Sequence, residues 1–178
     1  MSADASASIP QPVSLKAQIN EDWLAVIIGL VVVGLAFLSV TGTDALGWVV
    51  TTSVYTDVTT ALAPFAKSYG GFGGIGSLLA TYLAFLVVLS AGVATLGADV
   101  KKFALAFTAV FAISYASWII GSYAYIAAVT PAEQQRFGIS WSLKLTNEVG
   151  LVVALLAGII IANFLPRLAD WLKEGIRP

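Results

Sequence analysis

The chain contains neither cysteine nor histidine among its 178 residues. Without cysteine it cannot form disulfides, thiolate nucleophiles or iron–sulfur clusters. Without histidine it has no imidazole to ligate haem or zinc, or to shuttle protons. These absences exclude most membrane proteins that carry a cofactor, and we expect neither a cofactor nor a metal.

Charge is also scarce. Charged residues make up 11% of the chain and hydrophobic residues 58%, against about a quarter and about a half in soluble proteins. The nine basic and ten acidic side chains nearly cancel, so the chain has no electrostatic footprint for nucleic acid, and we expect no nucleic-acid partner. A soluble domain of this size cannot bury so much apolar surface.

Four long stretches hold no charged residue: Trp23–Thr43, Ser68–Ala98, Phe103–Ala132 and Val149–Pro166. Roughly 20 apolar residues of helix cross a bilayer core about 30 Å thick. The sequence therefore predicts an all-α integral membrane protein with about four transmembrane helices in a region 21–166, followed by an amphipathic interfacial helix. The predicted spans are 22–40, 77–96, 102–129 and 149–165.

The remaining segments are read from their composition. Residues 1–20 are small and polar and lack the basic-then-apolar order of a signal peptide, which predicts a disordered tail. Residues 131–148 are polar with aromatic interruptions and are expected along the interface. In 167–178, apolar residues recur at helical spacing, so this segment is expected to rest on the membrane surface. Those residues are Leu168, Trp171, Leu172 and Ile176.

The connection between the first two spans is harder to interpret. TTSVYTDVTTA at 51–61 favours extended structure or a mobile loop, and Pro64 suggests the start of a short helix. YGGFGGIG at 69–76 lacks the pattern of a phosphate-binding loop. We expect it to be a flexible re-entry loop, or else a helix break that lines a cavity.

Basic residues predict an orientation. With the N-terminus inside, Lys16, Lys101, Lys102, Arg167, Lys173 and Arg177 lie inside, and Lys67, Arg136 and Lys144 lie outside. This excess on the inside follows the positive-inside rule. It predicts a multi-pass protein of the cell inner membrane with both termini in the cytoplasm.

Two segments resemble a known family: NEDWLAVIIGLVVVGLAFL at 20–38 and LKLTNEVGLVVALLAGIIIANFLPRLADWLKEGIRP at 143–178. They are similar to the YeiH-type sulfate exporter family of bacterial inner-membrane proteins. That family has an EDW-like entry to its first helix. Later it has an apolar, glycine-containing helix followed by a proline and an "ADWLKEAIRP"-like segment. The middle, roughly 41–140, is not matched.

The resemblance implies that this chain is the N-terminal part of an inner-membrane exporter of a small inorganic anion of the sulfate type. Members of that family are much longer and continue into further helices. We therefore expect a truncated chain. A genuine short paralogue or split half, and a coincidental likeness, are the alternatives.

The start of the last span is the candidate substrate site. Transporters bind anions near the bilayer midplane at helix N-termini, through free N–H groups and the helix dipole. Thr146 or Asn147 is expected to cap the helix, and Gly150 to allow close backbone approach. The alternative is an ordinary capped helix. Glu148 argues against an anion unless it is protonated or turned away, and it is itself a candidate for coupling protons to transport.

Other polar residues within the spans have ordinary explanations. Asn163 is expected to hydrogen-bond a neighbouring helix, with substrate contact as the alternative. Gly158 and Ala162 form a small-xxx-small face suited to helix packing. Hydroxyls in the second and third spans are expected to bond back to their own helices, and less readily to line a polar path. They are Ser90, Thr95, Thr108, Ser114, Ser117 and Ser122.

Three classes of function remain. The first is an anion exporter, or part of one. The second is a non-transporting four-helix subunit or scaffold that packs on partner proteins or on copies of itself through glycine and alanine faces. An enzyme is the weakest class, because no acid–base pair, metal cluster or nucleophile is visible, and we expect none.

Overall fold

The computed structural model describes residues 21–176, so the predicted tail 1–20 lies outside the described residues. Within them, the helices are α1 (Glu21–Leu38), α2 (Gly73–Thr95), α3 (Val100–Gly121), α4 (Ala124–Ala127), α5 (Pro131–Arg136), α6 (Val149–Phe164) and α7 (Pro166–Ile176). The strands are β1 (Val50–Thr52) and β2 (Leu62–Pro64). Short 3-10 helices occupy Ser39–Thr41, Val58–Thr60 and Lys67–Phe72.

Three helical segments are long and apolar enough to cross a membrane: Glu21–Thr41, Lys67–Thr95 and Val100–Gly121. The 16 residues of α6 extend only about 24 Å at 1.5 Å per residue. A bend of 113° separates α6 from α7. It occurs at Leu165, whose φ of −126° and ψ of 58° leave the helical region, as expected before Pro166. The predicted all-α membrane fold is confirmed, with three spans, or four if the bent pair counts as one.

The long helices alternate in direction, since the start of α1 lies against the end of α2 and the end of α3 lies against the start of α6. A short link joins α2 to α3, and the Asp99 carboxylate caps α3 by accepting the backbone N–H groups of Lys101 and Lys102 at 3.0 and 3.1 Å. The first turn of α6 touches the last turn of α3, and α7 packs on the first turns of α3. The molecule therefore has a hairpin end, which holds β1 and β2, and an α7 end.

The third membrane helix is shorter than the predicted 102–129, because α3 stops at Gly121. Beyond Gly121, the backbone of Tyr55 forms hydrogen bonds with the chain in place of the helix. Its N–H donates to the Ser122 carbonyl at 3.2 Å, and its carbonyl accepts from Ala124 N–H at 2.8 Å. This parallel bridge, together with the short helix α4, replaces the last part of the predicted span.

The stretch at 51–61 is neither wholly extended nor irregular. β1 pairs antiparallel with β2, with Val50 opposite Pro64 and Thr52 opposite Leu62. Pro64 therefore ends a strand and does not start a helix. The pairing tolerates it because the neighbouring ladder bond is made by Phe65, whose N–H donates to the Val49 carbonyl at 2.8 Å. The glycine run at 69–76 belongs to a 3-10 helix up to Phe72 and to α2 from Gly73, so the second membrane helix starts earlier than the predicted residue 77.

The packed core lies at the hairpin end. Ala124, Ala128 and Ile139 form a buried cluster, and Val54, Tyr125 and Phe137 pack against it. By contrast, α1 has no buried residue. It approaches α2 where the Leu24 side chain fits against Gly92, at a position where a Cβ atom would lie 2.6 Å from Leu24 Cδ2.

Candidate functional site

The start of α6 does not offer free N–H groups. The backbone N–H groups of Val149, Gly150 and Leu151 donate to the carbonyls three residues earlier, at 3.0, 3.0 and 2.9 Å. The expectation that a Thr146 or Asn147 side chain caps this helix is wrong, because these tight turns satisfy the donors and no side chain caps α6. The Thr146 hydroxyl instead lies 3.3 Å from Glu148 Oε2.

Gly150 does make the close backbone approach expected of it, but to a helix. It is buried, and a Cβ atom there would lie 2.9 Å from Trp118 Cα. A Cβ atom on Gly121 would in turn collide with the backbone nitrogen of Gly150. The pair of glycines therefore lets α3 and α6 cross in contact, which is a packing role.

Asn163 lies at the other end of the same helix. It is exposed, and its Nδ2 donates to the Ile159 carbonyl of its own helix at 2.8 Å. It follows Gly150 by thirteen positions, which is about 20 Å along a helix axis. The structure thus does not bring the predicted site residues together, and their anion-binding role stays a prediction.

The buried polar side chains of the described residues are all hydroxyls: Ser77, Thr81, Ser117 and Ser122. No charged side chain within residues 21–175 is buried. The hairpin lies on α2 beside Thr81, and its Thr52 Oγ1 is 3.1 Å from the Tyr115 hydroxyl of α3. Buried hydroxyls without charge can orient a small polar solute by hydrogen bonds alone.

Most of the predicted span hydroxyls are satisfied locally. Ser117 and Ser122 donate to the carbonyls of Ile113 and Trp118, at 2.8 and 2.9 Å. Thr95 and Thr108 likewise bond back within their helices. For these four, the expectation of bonding to their own helix is confirmed.

Ser77 and Thr81 were not singled out by the sequence, and they behave differently. Ser77 is fully buried, and its Oγ has no hydrogen-bond partner within the described part of the chain. Thr81 Oγ1 accepts the Val50 N–H of the hairpin at 3.0 Å. The signal in the sequence was the spacing of Gly74, Ser77 and Thr81, which places three small or hydroxylated residues on one helical face.

Gly74 seats the hairpin on α2. A Cβ atom at this position would collide with the Leu62 carbonyl oxygen of β2. The hairpin backbone therefore lies directly on the first turn of α2, about one turn before Ser77. That the glycine run lines a cavity stays a prediction.

Two side chains in the loops around the hairpin have shifted pKa values. Burial, and then the nearby Tyr123, raise the pKa of the Tyr55 hydroxyl. Hydrogen bonds from the Thr59 backbone and hydroxyl lower the pKa of Asp57, at the turn of the hairpin. Among residues 21–176, no group of three acidic side chains lies together that could hold a metal ion.

An apolar groove of about 240 Å³ lies nearer the α7 end, between α1, α2 and α3. Its lining residues are Leu24, Leu89, Val93, Phe103, Phe107 and Val110. Such a lining gives a small ion no hydrogen-bond partner, so this groove is not a candidate site for a polar solute.

Comparison with known proteins finds similarity to a UPF0324 membrane protein of Nitrosomonas europaea, which is 31% identical over 161 residues. This chain is similar to a UPF0324 membrane protein over most of its own length. The match covers 89% of the chain, so it includes most of the middle segment that the resemblance had left unmatched. The chain spans about a third of the UPF0324 relative, 33% of its length.

The name of the UPF0324 relative states a membrane protein and no substrate. The comparison therefore agrees with the predicted family as far as a membrane protein goes. It does not show sulfate export. No family model matches the chain. No solved structure matches it either.

Proposed function

We propose that this chain forms part of a membrane transporter for a small inorganic anion, and that the hairpin end contributes to the anion path. The observation that carries the proposal is the β1–β2 hairpin packed on α2 over the buried, uncharged hydroxyls of Ser77 and Thr81. Irregular backbone at membrane depth is tolerated only where protein covers it or where it lines a water-filled cavity.

The depth of Thr81 supports the proposal. It lies at the middle of the apolar helical segment Lys67–Thr95. If this segment is centred in the bilayer, the Thr81 hydroxyl lies near the midplane, where transporters place their substrate sites.

The chemistry favours an anion over a cation. The Ser77 hydroxyl has a free proton and lies in the second turn of α2, near the positive end of its dipole. No carboxylate is buried within the described residues to balance a cation. We further propose that the role of the chain is not enzymatic.

The charge distribution supports an inner-membrane location with the α7 end in the cytoplasm. Lys101, Lys102, Arg167 and Lys173 lie at that end of the described helices, and Lys67, Arg136 and Lys144 lie at the hairpin end. A path across the membrane is expected to need helices beyond this chain, because it spans a third of its UPF0324 relative.

The test is anion flux from proteoliposomes. The complete product of the reading frame that encodes this chain is reconstituted with trapped sulfate, nitrate or chloride. We expect release of at least one anion above the leak of empty vesicles. Thr81→Val should lower the rate of release at least about tenfold, because it removes a hydroxyl whose hydrogen bond to an anion is worth about 1.5–3 kcal/mol. A complete product that moves none of the three anions contradicts the proposal.

A non-transporting membrane subunit is the second candidate, favoured by α1. None of its residues is buried, so it offers a whole apolar helix to partner helices or to lipid. A stop codon directly after residue 178, combined with the absence of anion flux, supports this candidate over the first.

A further inference from the structure

Ser77 is an exception among the buried serines of this protein. Ser117 and Ser122, which are equally enclosed, donate to carbonyls four residues earlier in their helix. Ser77 is 0% exposed and makes no such bond. A buried polar group in a native protein is nearly always hydrogen-bonded, so an unpaired one indicates an unseen partner or a functional role.

Thr81 lies one turn beyond Ser77 on the same face of α2. It accepts the Val50 N–H at 3.0 Å, and no described residue accepts its own hydroxyl proton. Side chains four residues apart on a helix are about 6 Å apart. Two hydroxyl protons without an acceptor therefore face the same hairpin, close enough to bind one small solute.

The surroundings select the kind of solute. One lone pair of Thr81 is already shared with Val50 N–H, and Ser77 lies in the second turn from the positive end of the α2 dipole. Each of the two hydroxyls has a proton without an acceptor, and no carboxylate within residues 21–175 is buried to repel an anion. The missing partner is therefore a hydrogen-bond acceptor, and a small anion suits the site better than a cation.

We propose that Ser77 and Thr81 form an occluded anion site and that the β1–β2 hairpin is its cover. Because Ser77 is fully enclosed, an anion reaches it only when the hairpin moves off α2. The ladder between the strands is three residue pairs long, which makes such a movement less costly than opening a full sheet. This inference rests on the proposed function and names the residues that contact the anion.

The experiment is thermal unfolding of the purified chain in detergent, with sodium chloride, nitrate or sulfate titrated against sodium gluconate at equal ionic strength. Gluconate is too large for an enclosed site and controls for general salt effects. Ser77→Ala is the test variant. Ser117→Ala is the matched control, because it removes an equally buried hydroxyl that its own helix already satisfies.

We expect at least one small anion to raise the Tm of the wild-type chain saturably, as binding to the folded state must. Ser117→Ala should keep this rise and Ser77→Ala should lose it entirely. In gluconate alone, Ser77→Ala should unfold at a higher temperature than the wild type, because it removes a buried hydroxyl that has no partner.

Several results would overturn the inference. If no small anion raises the Tm, or if Ser77→Ala keeps the rise, the site does not bind an anion. If Ser77→Ala lowers the Tm in gluconate and no anion acts, the hydroxyl is satisfied by a buried water only. If anion flux persists in Ser77→Ala, the proposed transport stands and this site is refuted. If Ser77→Ala loses the Tm rise but the wild type shows no anion flux, this site is supported and the proposed transport is refuted.

Discussion

Gly121 and Gly150 bring the backbones of α3 and α6 into contact, and this contact makes the first prediction. Gly121→Ala places a Cβ atom against the backbone of Gly150, and such overpacking costs typically about 1–3 kcal/mol. We expect a clear fall in Tm, measured by circular dichroism in detergent. Gly158→Ala is the control, because no atom lies within 4 Å of the new Cβ. Equal behaviour of the two variants would show that the helices do not cross here.

Asn163 shows what a lone polar residue in a span does and does not reveal. The sequence places an amide within a membrane helix, but the rotamer decides whether it bonds its own helix or another. Because Nδ2 donates to Ile159 of the same helix, we expect Asn163→Leu to change the free energy of unfolding by no more than about 0.5 kcal/mol, as for surface substitutions. A loss of several kcal/mol, measured by denaturant titration in detergent, would reveal an interhelical partner.

At the scale of elements, the β1–β2 hairpin can lie directly on α2 because Gly74 has no side chain. The chain has no cysteine, so Ser77→Cys carries the only thiol and reports how well the hairpin covers it. We expect slow reaction with a water-soluble maleimide. Adding Gly74→Ala should speed the reaction markedly, because its Cβ displaces Leu62 of the hairpin.

Gly70→Ala serves as the control in the same background, since nothing lies within 4 Å of its Cβ. If Ser77→Cys reacts as fast as an exposed thiol without any second substitution, the hairpin is not a cover.

The capping box at the start of α5 gives a prediction on pH. Glu133 accepts from the backbone N–H groups of Thr130 and Val129, and hydrogen bonds from Thr130 lower its pKa from the ordinary 4.5. A lowered carboxyl pKa contributes stability that is complete above 4.5 and is lost as the pH falls through the lower, folded-state value. The Tm difference between wild type and Glu133→Gln should therefore be largest above pH 4.5 and vanish in stronger acid. A difference that does not depend on pH would contradict this.

Elements were predictable from the sequence to different degrees, for physical reasons. Absence of charge over about 20 residues is enough to predict a membrane helix, so the helical fold followed from composition. The end of α3 did not, because it depends on Tyr55, which lies 66 positions before Gly121 and takes the backbone bonds beyond it. The hydroxyl pair under the hairpin was missed for the same reason, since only the packed hairpin turns Ser77 and Thr81 into buried groups. The predicted side-chain cap of α6 is wrong because backbone carbonyls accept the first N–H groups of this helix.

At the scale of the whole molecule, the question is whether α6 crosses the membrane although it has only 16 residues. If it does, Lys101 and Arg167 lie on one side and Lys144 on the other. Single-cysteine variants at these three positions, labelled in intact and in permeabilised cells, measure this directly. We expect Lys144→Cys to react in intact cells, and Lys101→Cys and Arg167→Cys only after permeabilisation. Reaction of Arg167→Cys together with Lys144→Cys would show that α6 and α7 form a re-entrant loop.

The nearly contact-free α1 has a consequence for biosynthesis. Every face of this helix is apolar and its backbone bonds are satisfied internally, so it is stable in lipid as soon as it leaves the ribosome-bound translocon. The segment that contains the hairpin has no such independence, since Val50 N–H needs Thr81 and Tyr55 needs Ser122. Ribosomes must therefore translate well beyond residue 122 before the hairpin segment can fold, whereas α1 is stable in the bilayer before that.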